Sequence, residues 1–160
     1  MIIDVDGTMT DGGIYYDNLG NEVKKFNTQD AAAFFALQQL KIGILVITGR
    51  SCKATEKRMN ELGVQELYQG VKDKYHFIKS YLNEKGITKD DVGYIGDDLN
   101  DYKSMELASW IACPQNGCEE IKKIANYVSN KKGGDGAVRD IIEKLLREEK
   151  VWEIAINNVY

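Results

Sequence analysis

Ile42-Gly43-Ile44-Leu45-Val46-Ile47, followed at once by Thr48-Gly49-Arg50, decides the fold. A strand with one wet face alternates apolar and polar residues, whereas this run is apolar almost throughout and mostly β-branched. That is the pattern of a strand buried on both faces, the condition of a parallel sheet wrapped by helices. Its flanks agree. Helical stretches are expected over Gln29 to Leu40 before it and Lys53 to Leu62 after it. Further out, strands are predicted at Glu66 to Tyr68, Val92 to Ile95, Trp110 to Ala112 and Tyr127-Val128. Helices are predicted at Lys74 to Lys85, Asp101 to Leu107, Glu119 to Ala125 and Ala137 to Glu149. Gly63 and Gly86 stand where helices need a residue free to turn left-handed. Alternating short strands and helices imply an α/β chain with a parallel sheet, in a single domain spanning 1–160.

One segment breaks the alternation. Asp11 to Phe26 reads as a β-hairpin, with Ile14-Tyr15-Tyr16 and Glu22-Val23-Lys24-Lys25-Phe26 around an Asp17-Asn18-Leu19-Gly20-Asn21 turn. Two strands alone are marginal in water, so a hairpin with exposed tyrosines invites pairing with another subunit.

Composition narrows the function. The net charge is −4 over 160 residues, and the basic residues are scattered rather than striped. Nucleic acid is therefore not expected as a partner, since neutralising phosphates needs a basic surface. No apolar run reaches membrane-spanning length, and no basic segment precedes the apolar start, so neither a span nor a signal peptide is visible. Only Met1-Ile2-Ile3 precede the first acid, short for a central strand, which leaves room for an upstream piece. Cys52, Cys113 and Cys118 lack CxxC spacing and read as free thiols in a reducing cytoplasm. His76 has no acidic or thiol partners at ligand spacing. Carboxylates remain as the chemical residues.

Ligands of open parallel sheets bind at the carboxyl ends of the strands, near the point where strand order reverses. Four polar clusters fall at such ends: Asp4-Val5-Asp6-Gly7-Thr8, Thr48-Gly49-Arg50, Lys74 in Gly70-Val71-Lys72-Asp73-Lys74, and Gly96-Asp97-Asp98-Leu99-Asn100-Asp101. Asp4 and Asp6 leave the first apolar run two residues apart, and Gly7 lets backbone amides approach an anion. Phosphate esters repel nucleophiles, so a site acting on them needs cations and oriented donors. Asp4 is the candidate nucleophile, and Asp6 the acid and base that protonates the leaving oxygen and deprotonates water. Thr48, the Gly49 amide and Lys74 are candidates to hold phosphoryl oxygens. Asp4 and Asp97 suit Mg²⁺, a hard cation that takes oxygen ligands. Plainer roles compete: turn formation for the acid pair, an N-cap for Thr48, a helix start for Asp98, and Lys72 in place of Lys74.

In this order the four clusters resemble the four motifs of the haloacid dehalogenase superfamily of phosphatases: DxDGT, a Thr or Ser after the next strand, a Lys, and GDxxxD. The resemblance covers nearly the whole chain. It implies a Rossmann-like parallel sheet flanked by helices, an aspartyl-phosphate intermediate and Mg²⁺ as cofactor. It assigns the cationic role to Lys74, makes the Asp6 backbone carbonyl the remaining protein ligand of the metal, and has Asp101 orient Lys74 or a metal water. Many members of the superfamily insert a cap domain of tens of residues after the first or third motif. Here Asp6 to Thr48 holds one hairpin and one helix, and Lys74 to Asp97 one helix, so no cap domain fits.

A finer resemblance is to the capless 3-deoxy-D-manno-octulosonate 8-phosphate phosphatase group. It is carried by Asp6-Gly7-Thr8-Met9-Thr10-Asp11-Gly12, the hairpin, Lys25-Phe26-Asn27-Thr28-Gln29-Asp30, Tyr68-Gln69-Gly70, the fourth motif and Gly133-Gly134-Asp135-Gly136-Ala137-Val138-Arg139. It implies a homotetramer with hairpins at its centre, neighbours covering each site, and Gly133 to Arg139 close to the site. Asp30 is followed by Ala31-Ala32-Ala33 where the group commonly has glycine, so this segment is read as the start of a helix. Arg50 resembles the eight-carbon enzymes and could pair with a substrate carboxylate, whereas relatives acting on nine-carbon 2-keto-3-deoxy acid 9-phosphates can carry an acid there. The expected substrate is a sugar-acid phosphate, with the nine-carbon, sialic-acid-type phosphates as the alternative. A non-catalytic tetramerisation domain, of the kind fused to cytidylyltransferases, is the third possibility. The apolar tail Val151 to Tyr160 is expected to pack on a neighbouring subunit.

Overall fold

The structure is a computed structural model and describes residues 1–157. In chain order its elements are β1 (Ile2–Ile3), β2 (Tyr15–Tyr16), β3 (Glu22–Val23), α1 (Asp30–Gln39), β4 (Leu45–Ile47), α2 (Lys53–Glu61), β5 (Glu66–Tyr68), α3 (Lys74–Lys85), β6 (Gly93–Ile95), α4 (Leu99–Met105), β7 (Trp110–Cys113), α5 (Glu119–Ile124), β8 (Tyr127–Val128), α6 (Ala137–Glu148) and α7 (Trp152–Ile156). Six strands form one parallel sheet in the order β5-β4-β1-β6-β7-β8, and β2 and β3 form a separate antiparallel hairpin.

The two-residue period of a strand divides the core. Ile3, Val46, Ile95 and Ala112 face one side, where Phe34 and Leu37 of α1, Met59 of α2, Ile141 and Ile142 of α6, and Trp152 of α7 cover them. Ile2, Leu45, Ile47, Tyr94 and Cys113 face the other, under Ile78 and Leu82 of α3, Met105 of α4 and Ile121 of α5. Burial on both faces explains why Leu45-Val46-Ile47 carries no polar residue.

The expected strand at residues 42–47 narrows to β4 because the residues before it close a helix. Leu40 and Lys41 finish α1, Lys41 adopts φ 58°, and the Ile42 amide bonds back to the Leu37 carbonyl at 2.9 Å. The helix expected from Asp101 begins at Leu99 instead, because Asp98 caps it, accepting the Leu99 amide at 2.8 Å. The hairpin pairs over only two residues on each side, with a further bridge between Thr10 and Phe26. Asp17 closes its turn by accepting the amides of Leu19 and Asn21 at 2.9 and 2.8 Å.

Part of the tail packs within the chain itself. Trp152 and Ala155 are buried in this chain's own core, and the Arg139 and Arg147 guanidinium groups lie 4.7 and 5.5 Å from the Trp152 ring centroid. The short helix thus buries one face in its own chain, while Ile154 on the other stays 63% exposed; residues 158–160 lie outside the described part.

Asp30 starts α1 in a buried position, and its Oδ1 accepts the Arg139 amide at 2.9 Å, tying α1 to the start of α6. Burial pushes its carboxyl up to about 6. The folded state therefore holds this proton more tightly than the unfolded chain. Stability falls as pH rises from about 4 to 6, and the full deficit, on the order of 2–3 kcal/mol, is present above that window. Asp30→Asn keeps an acceptor for the Arg139 amide and removes the charge. Urea unfolding is expected to show the variant gaining stability over the parent between pH 4.5 and pH 7. A difference that does not change with pH would remove the burial penalty from the account.

Candidate active site

β1 lies between β4 and β6, which the chain reaches on opposite sides, so the strand order reverses there. The segments leaving these three strands carry Asp4 and Asp6, Thr48 to Arg50, and Asp97 to Asp101. α3, following β5, brings in Lys74. The four clusters read from the sequence thus share one edge of the sheet.

The first loop is a built turn. The Met9 and Thr10 amides both bond to the Val5 carbonyl, at 2.9 and 3.0 Å, and Thr10 Oγ1 accepts from the Gly7 and Gly12 amides at 3.3 Å each. Gly7 sits at φ 97°, and a Cβ there would stand 2.1 Å from Asp97 Oδ2, so only glycine lets the loop and the Asp97 carboxylate approach this closely. Thr8 Oγ1 donates to Asp97 Oδ1 at 2.9 Å. The Gly133-Gly134 turn packs against the same loop, since a Cβ on Gly133 would fall 1.8 Å from the Gly7 carbonyl oxygen.

Asp4 and Lys74 form the buried centre, each side chain 2% exposed. Lys74 Nζ donates to Asp4 Oδ1 at 2.5 Å and to Asp101 Oδ1 at 2.7 Å. Asp101 is held in turn by the Tyr94 hydroxyl at 2.8 Å and the Asp97 amide at 3.2 Å. Oxygens of Asp4, Asp97 and Asp101 lie within 4.8 Å of one another. Burial, then the Asp101 charge, push Asp4 well above the usual carboxylate range, while Lys74 pulls it down. Burial and the Asp101 charge raise Asp97 to about 6. Burial disfavours the Lys74 ammonium, but the Asp4 and Asp101 carboxylates outweigh it and hold the charge. Three carboxylates against one ammonium leave −2 when all are ionised, the charge that one divalent cation neutralises. An oxygen-only donor set of this kind suits Mg²⁺.

Asp6 is turned elsewhere. Its Oδ2 accepts the Thr48 hydroxyl at 2.9 Å, and its Oδ1 is paired with Lys24. Arg50 lies at the rim with its fork engaged: Nε and Nη2 donate to the two Glu22 carboxylate oxygens at 3.0 and 2.9 Å. The Arg50 bonds, with smaller help from Lys24, pull Glu22 down to about 2. Lys72 is exposed and bonds the Gly49 carbonyl at 2.8 Å, apart from the carboxylates. Arg139 reaches Glu143 and Trp152 rather than the acid cluster. Asn27 caps its own turn through the Gln29 amide. His76 pairs with Asp73 on the exposed side of α3, and the three cysteines are free.

Reasoning from the sequence missed Thr8, Tyr94, Glu22 and Lys24. For the last two a signal existed. On an extended strand Glu22, Lys24 and Phe26 share one face, and Phe26 packs on the core, so that face points inward.

Comparison with known proteins agrees with this geometry. Residues 65–142 match the family of haloacid dehalogenase-like hydrolases. The chain is 38% identical over 146 residues to 3-deoxy-D-manno-octulosonate 8-phosphate phosphatase of Yersinia pestis, covering 91% of this chain and 78% of that protein. It is similar in structure to the enzyme of that name from Moraxella catarrhalis, solved with magnesium, phosphate and KDO. That likeness has a TM-score of 0.92 at 36% identity and covers 99% of this chain and 91% of the other. The cobalt-bound phosphatase of Haemophilus influenzae gives a TM-score of 0.89 at 25% identity, covering 98% and 91%.

Proposed function

The chain belongs to the 3-deoxy-D-manno-octulosonate 8-phosphate phosphatase family of haloacid dehalogenase-like hydrolases and is a phosphoric monoester hydrolase; from that premise we propose that it hydrolyses the phosphate ester of this eight-carbon sugar acid with Mg²⁺ as cofactor. The observation that carries the reading is the Lys74 bridge between Asp4 and Asp101, with Asp97 beside it and Asp6 held by Thr48. These residues offer a candidate nucleophile, a cation and a candidate acid/base group at one strand-end crevice.

In this mechanism Asp4 attacks phosphorus, the bond to the sugar oxygen breaks, and Asp6 gives that oxygen a proton. Asp6 then takes a proton from water as the water attacks the aspartyl phosphate, releasing phosphate and restoring Asp4. Thr48, the Gly49 amide and Lys74 hold the phosphoryl oxygens. The Asp4 and Asp97 carboxylates and the Asp6 backbone carbonyl would hold Mg²⁺, which supplies positive charge against the phosphoryl oxygens. The Asp101 carboxylate, already bonded to Lys74, Tyr94 and the Asp97 amide, orients Lys74.

Two features support the finer parts of the proposal. Arg50 stands partly exposed at the rim beside Thr48, where the leaving sugar would lie; its Nε and Nη2 are taken by Glu22, so a substrate carboxylate would meet the outer edge of the guanidinium. The hairpin exposes Ile14, Tyr15, Tyr16, Leu19 and Val23 together, an apolar surface that fits assembly as a homotetramer covering the sites. Phosphate release should be measured over eight- and nine-carbon sugar-acid phosphates, with and without Mg²⁺. The eight-carbon ester is expected to have the higher kcat/KM, and Arg50→Glu should lower its ratio to that of the nine-carbon ester by about 10- to 100-fold, the loss of a charged contact. Preference for the nine-carbon ester would reverse the substrate assignment. A tetramer inactive on both would favour a purely assembling domain.

A further inference from the structure

The hairpin carries two adjacent lysines with opposite fates. Lys25 is 53% exposed and pairs with Asp135, whereas the Lys24 side chain is 1% exposed. Strand alternation explains the division, but not why a charged side chain takes the inward position. Its partners do. Lys24 Nζ donates to Asp6 Oδ1 and lies 3.0 Å from Glu22 Oε1. Glu22 is anchored by Arg50 through both carboxylate oxygens, and its carbonyl accepts from Cys52 Sγ at 3.5 Å. Burial disfavours the Lys24 ammonium, but the Asp6 and Glu22 carboxylates outweigh it.

We infer that Lys24 is a positioning residue, which aims the Asp6 carboxylate at the leaving oxygen; this rests on the phosphatase reading above. The terminal torsion of an aspartate is broad and two-fold, so a single hydrogen bond leaves the group free to swing. Asp6 has two, to different oxygens and from different elements: Thr48 after β4 on Oδ2, and Lys24 on Oδ1. A proton donor displaced by about 1 Å can lose on the order of 100-fold in rate. The hairpin thereby acts on the chemistry as well as covering it. Glu22 and Arg50 hold the lysine in turn, so the charge chain Arg50–Glu22–Lys24–Asp6 links the rim to the acid/base group.

The test compares two esters. Alkyl phosphates, including the sugar-acid phosphate, need their leaving oxygen protonated, whereas p-nitrophenyl phosphate releases a stable phenolate unaided. Because Asp6 also serves the later attack of water, the comparison is made on kcat/KM, which reports only the phosphorylation step. Lys24→Met is expected to lower it on the alkyl ester by about 10- to 100-fold and on the aryl ester by less than about 3-fold. Lys24→Arg should recover most of the loss. In an Asp6→Asn background, Lys24→Met should have no further effect on the alkyl ester, because the group it positions is gone. Should Lys24→Met not fold, Lys24→Gln carries the same comparison. Equal losses of kcat/KM on both esters, as a direct phosphate ligand would give, overturn the inference. So does a Lys24→Met effect retained in full without Asp6. A wild-type protein inactive on both esters sinks the phosphatase reading itself, and this inference with it.

Discussion

Asp4→Asn is expected to lower phosphate release by about 10⁴-fold or more at saturating substrate and Mg²⁺, the scale on which removing a covalent nucleophile acts. The substitution is nearly isosteric but replaces an anionic oxygen with a neutral amide that cannot form the acyl phosphate. Its effect on stability should have the opposite sign. Asp4 is buried beside Asp97 and Asp101, and its charge is disfavoured there. Neutralising it relieves like-charge repulsion while Lys74 keeps Asp101 as partner. Without a metal, the variant should melt no lower than the parent, as expected where a functional group is held against its own preference. Phosphate release and thermal melting on the same preparations check both halves. Substantial remaining activity would remove Asp4 from the nucleophile's role.

Lys74→Met reverses the stability effect. It leaves Asp4 and Asp101 buried without their shared cation, and removing one partner of a buried ion pair costs about 3–5 kcal/mol. For a chain of this size that is a fall in melting temperature of roughly 6–20 °C. Activity is expected to fall too, because the ammonium proposed to hold the phosphoryl oxygens is lost. Mg²⁺ should return part of the stability, since the cation would occupy the same carboxylates. Melting curves with and without Mg²⁺ read this directly. An unchanged melting temperature would mean that the Lys74 bridge carries little of the site's electrostatics. Opposite signs for Asp4→Asn and Lys74→Met separate charge balance from generic damage to the core.

The order of strands and helices was legible because burial on both faces leaves a mark that neighbouring residues cannot hide: Leu45-Val46-Ile47 has no polar position. Element ends were less legible, since caps decide them. Asp98 is the least distinct of the fourth cluster's acids in the sequence, with a helix start competing closely, and its bond to the Leu99 amide makes it a cap. Asp4, Thr48, Lys74 and Asp97 could be placed at strand ends from local sequence alone. What local sequence lacks is the pairing between distant charges. Lys24 meets Asp6, and Glu22 meets Arg50, only once the hairpin folds over the sheet edge. A lysine in a polar hairpin reads as solvated until its strand face is counted. The tail read as partner-seeking because Trp152 is large and apolar, and the groove that buries it exists only after α1 and α6 pack.

In the proposed mechanism the phosphoryl group passes through the Asp4 carboxylate. The stereochemical course of hydrolysis tests this most directly. It is read on a phosphorothioate ester made chiral at phosphorus by sulfur and two oxygen isotopes, cleaved in water of the third isotope to give chiral inorganic thiophosphate. Each in-line displacement inverts phosphorus, so attack by Asp4 followed by attack of water predicts net retention. Net inversion would mean that water attacks the ester in a single step, and would contradict the account.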